Sequence, residues 1–96
     1  MRRLAIIEDD AAYTHELRAA LEPEGFRTEC FDDAARALAE MRSRAFLLAI
    51  LDLGVRDVDP FAVCREASGL APLITVTAEC GEEICVRAFE SGADDC

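Results

Sequence analysis

The sequence predicts an α/β fold, a doubly wound parallel sheet with helices on both faces. Three observations carry that prediction. Four short apolar runs occur in order, and a stretch with helical periodicity follows each one. The loops between them are short, which suits a parallel sheet with helices on both faces. Two of the runs are continuously apolar, as expected of strands buried on both faces.

Each element has a local reason. Leu4-Ala5-Ile6-Ile7 is an unbroken apolar run that stops at Glu8-Asp9-Asp10. A helix is expected from about Ala11 to Leu21, with Leu17, Ala20 and Leu21 inward, ended by Pro23 and Gly25. Arg27 to Phe31 alternates loosely and reads as an edge strand. Asp32 or Asp33 can cap the next helix, Ala34 to Arg42, anchored by Leu38 and Met41. Phe46 to Leu51 is the strongest buried strand and runs into Asp52. A polar loop to Pro60 precedes a short helix from Phe61 to Ala67, and Ser68 to Pro72 turns the chain. Leu73 to Val76 is the fourth strand, ending in Thr77. The last helix spans Glu82 to Glu90, with Ile84, Ala88 and Phe89 inward and Gly92 as its stop.

Length and charge narrow the function. The 96 residues suffice for one small domain, residues 1–96. Twenty acidic side chains against ten basic ones, all Arg, give a net charge of −10. That balance argues against nucleic acid binding by this segment and against an anionic membrane surface. No stretch approaches the roughly 18 apolar residues of a membrane span. The run Met1-Arg2-Arg3 before Leu4 leads into too short an apolar segment for a signal peptide, so a cytoplasmic location is expected. The five cysteines, Cys30, Cys64, Cys80, Cys85 and Cys96, contain no C-x-x-C pair, and His15 is the only histidine. Zinc is therefore disfavoured and reduced thiols are expected, with Cys64 packed on a helix face. Cys96 is a candidate for crosslinking in air.

In parallel α/β sheets, ligands bind at the carboxyl ends of strands where the order reverses. The residues just past three apolar runs are Glu8-Asp9-Asp10, Asp52 and Thr77. An Asp after a strand is often only a helix cap, and Asp10 is best read that way. Joint spacing carries more weight than any single residue. Several carboxylates in one pocket repel one another, and one would be driven toward protonation. A bound Mg²⁺ resolves the conflict, because it takes oxygen ligands, keeps waters, and is held by one or two carboxylates plus phosphate oxygens. Asp52, fixed at the end of the most apolar strand, suits a carboxylate nucleophile that forms an aspartyl phosphate. Thr77 offers a hydroxyl, and Ala78 a backbone N–H, to a phosphoryl oxygen.

These residues resemble a known family. Leu4 to Asp10 is similar to the opening strand and acidic pair of response regulator receiver domains. Ile50-Leu51-Asp52-Leu53, with Val55, Asp59 and Phe61, resembles their phosphoacceptor segment. Val76-Thr77-Ala78 resembles the switch threonine, and Ala88 to Asp95 the approach to the final strand. The resemblance covers the whole chain. It implies a flavodoxin-like receiver fold with strand order 2-1-3-4, the fifth strand and fifth helix missing. It also implies that Asp52 takes phosphate from a histidine kinase and that Asp9 binds Mg²⁺, with Glu8 weaker or through water. The Gly54 carbonyl becomes a further metal ligand, and Thr77 reports phosphorylation. Gly54 and Glu79 occupy positions expected to tune phosphate loss.

Departures from the family pattern matter too. Receiver domains place a Lys after the fifth strand, and this chain has no Lys. Cys96 stands where a switch aromatic is usual, Pro60 where Gly is usual, and Arg56 where Pro is frequent. Without a fifth strand, Leu73 to Val76 is expected to be a bare edge open to self-association. The resemblance implies a histidine kinase and an effector domain or target protein as partners, and a phosphoacceptor signalling domain, not an enzyme, whose own chemistry is at most self-phosphorylation and self-dephosphorylation. The alternative is a degenerate receiver, an interaction module that is never phosphorylated. An aspartyl-nucleophile hydrolase ranks below both, because its second Asp position holds Gly54.

Overall fold

The computed structural model describes residues 2–79 and 81–96. Met1 and Cys80, named above in the N-terminal run and the cysteine set, lie outside the described residues. The elements alternate: β1 (Arg3–Ile7), α1 (Ala11–Leu21), a 3₁₀ turn (Glu22–Glu24), β2 (Arg27–Phe31), α2 (Ala34–Ser43), β3 (Leu48–Asp52), α3 (Pro60–Ser68), β4 (Leu73–Val76) and α4 (Glu82–Glu90). The strands form one parallel sheet in the order β2-β1-β3-β4. This is the expected order.

Burial follows from that order. β1 and β3 are interior strands, so Leu4 to Ile7 and Ala49 to Leu51 are covered on both faces and must be continuously apolar. β2 is an edge and is buried fully only at Phe31. Three helices begin on an aspartate cap: Asp10 accepts the N–H groups of Ala12 and Tyr13, Asp33 those of Ala35 and Arg36, and Asp59 that of Phe61. Asp10 is thus the helix cap the sequence suggested. α2 buries Ala34, Ala37, Leu38 and Met41, and α3 buries Phe61, Val63, Cys64 and Ala67.

Several expectations need correction. Phe46 and Leu47 precede β3: Phe46 is buried, whereas Leu47 is exposed and joins the sheet only through its N–H to the Arg3 carbonyl, at 2.8 Å. α1 has no fully buried residue, and Ala20 is exposed. Phe89 is 48% exposed, so α4 buries only Ala88. β4 is not a bare edge. After α4 the chain returns alongside it: Asp94 N–H donates to Leu73 O at 2.8 Å, and Thr75 N–H donates to Asp95 O at 2.9 Å. Asp94 Oδ2 also accepts the Leu73 N–H at 2.9 Å. The sharp return is made at Gly92, whose φ of 109° favours glycine.

The cysteines divide into classes. Cys64 is buried on α3, and burial pushes its thiol pKa up. Cys30 is half-buried and raised for the same reason. The expectation of reduced thiols fails for Cys85 and Cys96, which the structure joins in a disulfide across a Cα–Cα distance of 5.7 Å. The return at Gly92 brings them together although 11 positions separate them.

Candidate functional site

Register brings the acidic residues together. Ile7 of β1 pairs with Leu51 of β3, and Asp52 pairs with Val76 of β4. Glu8 and Asp9, Asp52, and Thr77 therefore leave three neighbouring strands at one rim. Two clefts meet there. One, of about 340 Å³, is lined by Glu8, Asp9, Asp10, Asp52, Gly54 and Arg56. The other, of about 450 Å³, includes Glu8, Asp52, Thr77 and Ala78. A larger cleft of about 750 Å³ runs between α1 and α2 past Arg18 and Arg36, but Asp52 does not line it. Cys96 lines none of the three.

Electrostatics at the rim are dominated by Glu8. Only 6% of it is exposed, an unusual state for a glutamate. Burial, then a hydrogen bond and charge repulsion from Asp52, push its pKa from 4.5 up to about 7, against the pull of the Asp9 and Asp10 N–H groups. The Asp9 N–H donates to Glu8 Oε2 at 3.0 Å. Glu8 and Asp52 therefore disfavour each other's charge, and the pocket is short of positive charge.

Backbone donors fix the other groups. Asp52 Oδ1 accepts the Gly54 N–H at 2.8 Å. A Cβ at position 54 would stand 3.3 Å from that oxygen, so glycine keeps the approach to Asp52 open. Asp9 Oδ2 accepts the Arg56 N–H at 2.8 Å, and the Arg56 guanidinium lies 3.6 Å from the same oxygen. Thr77 Oγ1 accepts the Glu79 N–H at 3.0 Å, which orients the hydroxyl and leaves its proton to donate.

The expected rim residues Glu8, Asp9, Gly54, Asp52, Thr77 and Ala78 all reach the two clefts. Arg56 was not among the expected site residues, yet it is the basic residue of the acidic cleft. Its best contact uses the backbone N–H, which every residue type except proline provides, so residue identity gave no signal.

The donor set fits a partly hydrated hard cation. Among the described residues, no group of three or more His, Cys, Asp or Glu side chains forms a ready metal cage. Mg²⁺ does not require one, because it keeps several waters and needs one or two carboxylates. The pressed Glu8–Asp52 pair, with Asp9 beside it in the same cleft, supplies oxygen ligands and a charge deficit.

Known proteins are similar to this chain in sequence and in fold. The profile of the response regulator receiver domain family matches residues 4–96. The DNA-binding response regulator MtrA of Mycobacterium tuberculosis (strain ATCC 25618 / H37Rv) is 35% identical over 97 residues, covering 98% of this chain and 42% of MtrA. The KDP operon transcriptional regulatory protein KdpE of Escherichia coli (strain K12) is 35% identical over 97 residues, covering 99% of this chain and 43% of KdpE. The chain thus spans less than half the length of these curated relatives. A CheY-like receiver domain protein from Methanospirillum hungatei JF-1 superposes with a TM-score of 0.88 at 28% identity, covering 99% of this chain and 78% of that one. With the sheet order and the profile in agreement, this chain belongs to the response regulator receiver domain family of two-component signalling.

Proposed function

We propose that Asp52 is the phosphoacceptor of a single receiver domain formed by residues 1–96. The observation that carries this reading is the buried contact of Glu8 with Asp52, in clefts shared with Asp9, Thr77 and Ala78. An Asp52 carboxylate oxygen attacks phosphorus. The bond from phosphorus to the nitrogen of a donor histidine breaks, and the imidazole leaves with the electron pair. Gly54 holds the Asp52 carboxylate through its N–H, and its lack of a side chain admits the donor. The Thr77 hydroxyl and the Ala78 N–H donate to phosphoryl oxygens. Mg²⁺, when held by Asp9, Asp52 and the Gly54 carbonyl, with Glu8 acting through water, supplies neutralisation of the transferring charge.

This reading makes a histidine kinase the upstream partner, and an effector domain or target protein the downstream one. The domain works in the cytoplasm, where such a kinase presents its phosphohistidine. It is a signalling domain whose own chemistry is limited to self-phosphorylation and self-dephosphorylation.

Acetyl phosphate with Mg²⁺ provides the test. The expected outcome is an acid-stable, base-labile mass increase of one phosphate group, absent from Asp52→Asn. A chain that gains no phosphate under these conditions is instead an unphosphorylated interaction module.

A further inference from the structure

Cys85 and Cys96 lie outside the clefts that hold Asp52, and they join two segments that little else joins. α4 buries one side chain, Ala88, and no side-chain hydrogen bond caps its start at Gly81. Its other evident hold is Arg87, whose guanidinium lies 4.0 Å from the centre of the Phe61 ring on α3. Cys85 sits within the first turns of α4. Cys96 follows Asp95, the residue whose carbonyl accepts both the N–H and the hydroxyl of Thr75 on β4, at 2.9 and 3.3 Å. Ile84 and Cys96 both pack against the core as half-buried groups. The disulfide therefore ties the loosely held start of α4 to the strand edge that leads, two residues on, to Thr77.

We propose that Cys85 and Cys96 are a reversible thiol–disulfide site that locks α4 when oxidised and releases it when reduced. Both residues are half-buried rather than enclosed, so small thiol reagents can reach them. With the bond made, their Cα–Cα distance of 5.7 Å lies in the range of ordinary disulfides. The oxidant is a low-molecular-weight disulfide. One thiolate attacks it, forming a mixed disulfide and expelling one thiolate. The second cysteine thiolate then attacks the mixed disulfide at the protein sulfur and expels the other. Two protein thiols lose two electrons and two protons, and the reagent disulfide becomes two thiols. In a reducing compartment such a pair senses redox state rather than acting as a permanent staple.

The lock predicts where the effect falls. In the oxidised chain, the residues from Cys85 to Cys96 form a closed loop that anchors α4 at Cys85. In the reduced chain Ile84, Ala88 and the Arg87–Phe61 contact are left to hold the helix.

The experiment equilibrates the full chain in glutathione buffers from reducing to oxidising. Trapped thiols and disulfides are mapped by peptide mass, and hydrogen exchange is followed in the same samples. The expected result is a Cys85–Cys96 linkage that forms and reverses with the buffer. Amide exchange in residues 82–90 should be about tenfold or more faster in the reduced chain, with β1 and α2 unchanged. Cys85→Ser and Cys96→Ser should each exchange like the reduced chain in every buffer. A linkage through another cysteine, thiols that persist in the oxidising buffers, or equal α4 exchange in both states would overturn the proposal. Phosphate uptake is scored separately: a chain that takes phosphate yet shows no redox effect loses the lock and keeps Asp52 as acceptor.

Discussion

α2 and α4 flank the same sheet, yet they are held in different ways. α2 buries four side chains, and Asp33 caps its first turn. At its end Arg44 donates to both carboxylate oxygens of Glu29 on β2, at 2.7 and 2.6 Å, and to Glu40. α4 buries only Ala88, has no side-chain cap, and exposes Val86 and Phe89. Area removed from water is the main source of stability, so α2 is part of the core whereas α4 rests against it. Elements near the low end of local stability open most readily, and α4, with one buried side chain, is the nearer of the two to that end.

Breaking this contrast should produce unequal effects. Leu38 is 5% exposed on α2, so Leu38→Ala should destabilise the chain by about 2–5 kcal/mol in urea unfolding. Phe89→Ala, on the exposed face of α4, should shift the same transition by no more than about 0.5 kcal/mol. Equal effects would erase the distinction between the two helices.

Gly92 sharpens it next. Its φ of 109° disfavours any side chain, and a Cβ there would collide with Ser68 Oγ and stand 2.7 Å from Ser68 Cβ. Gly92→Ala should lose about 2–4 kcal/mol of stability, with faster hydrogen exchange at Thr75, whose N–H depends on the return after α4. The α4 side would then be shown to depend on one turn rather than on buried area.

The smallest expected effect concerns the rim, which both helices leave in place. Glu8 has a pKa raised to about 7, chiefly by burial and then by Asp52. In the metal-free chain its ionisation is therefore destabilising, and stability should fall as pH rises from about 4.5 through about 7. A divalent cation must displace that proton. Mg²⁺ affinity should rise by at most about tenfold per pH unit below 7 and level off above it, with proton release detectable by calorimetry in buffers of different ionisation enthalpy. Glu8→Gln should flatten both dependences.

Much of this was legible in the residues. Leu4 to Ile7 and Ala49 to Leu51 are apolar without alternation because both faces are covered, and that pattern alone marks interior parallel strands. The rim followed, since parallel strands place Glu8, Asp9, Asp52 and Thr77 at the same end. Phe89 misled because helical periodicity shows which residues share a face, and says nothing about whether another element covers that face. Arg56 gave little sign because its shorter contact with Asp9 is made by a backbone group.

By itself, then, the sequence determined the strand–helix alternation, the aspartate caps and the acidic residues that follow the strands, because each depends on local residue type and spacing. Only the tertiary structure decided the closeness of Glu8 to Asp52, the return of Asp94 and Asp95 along β4, and the meeting of Cys85 with Cys96. These contacts join segments through turns and register, and a distance set by folding has no signature in the residues that share it.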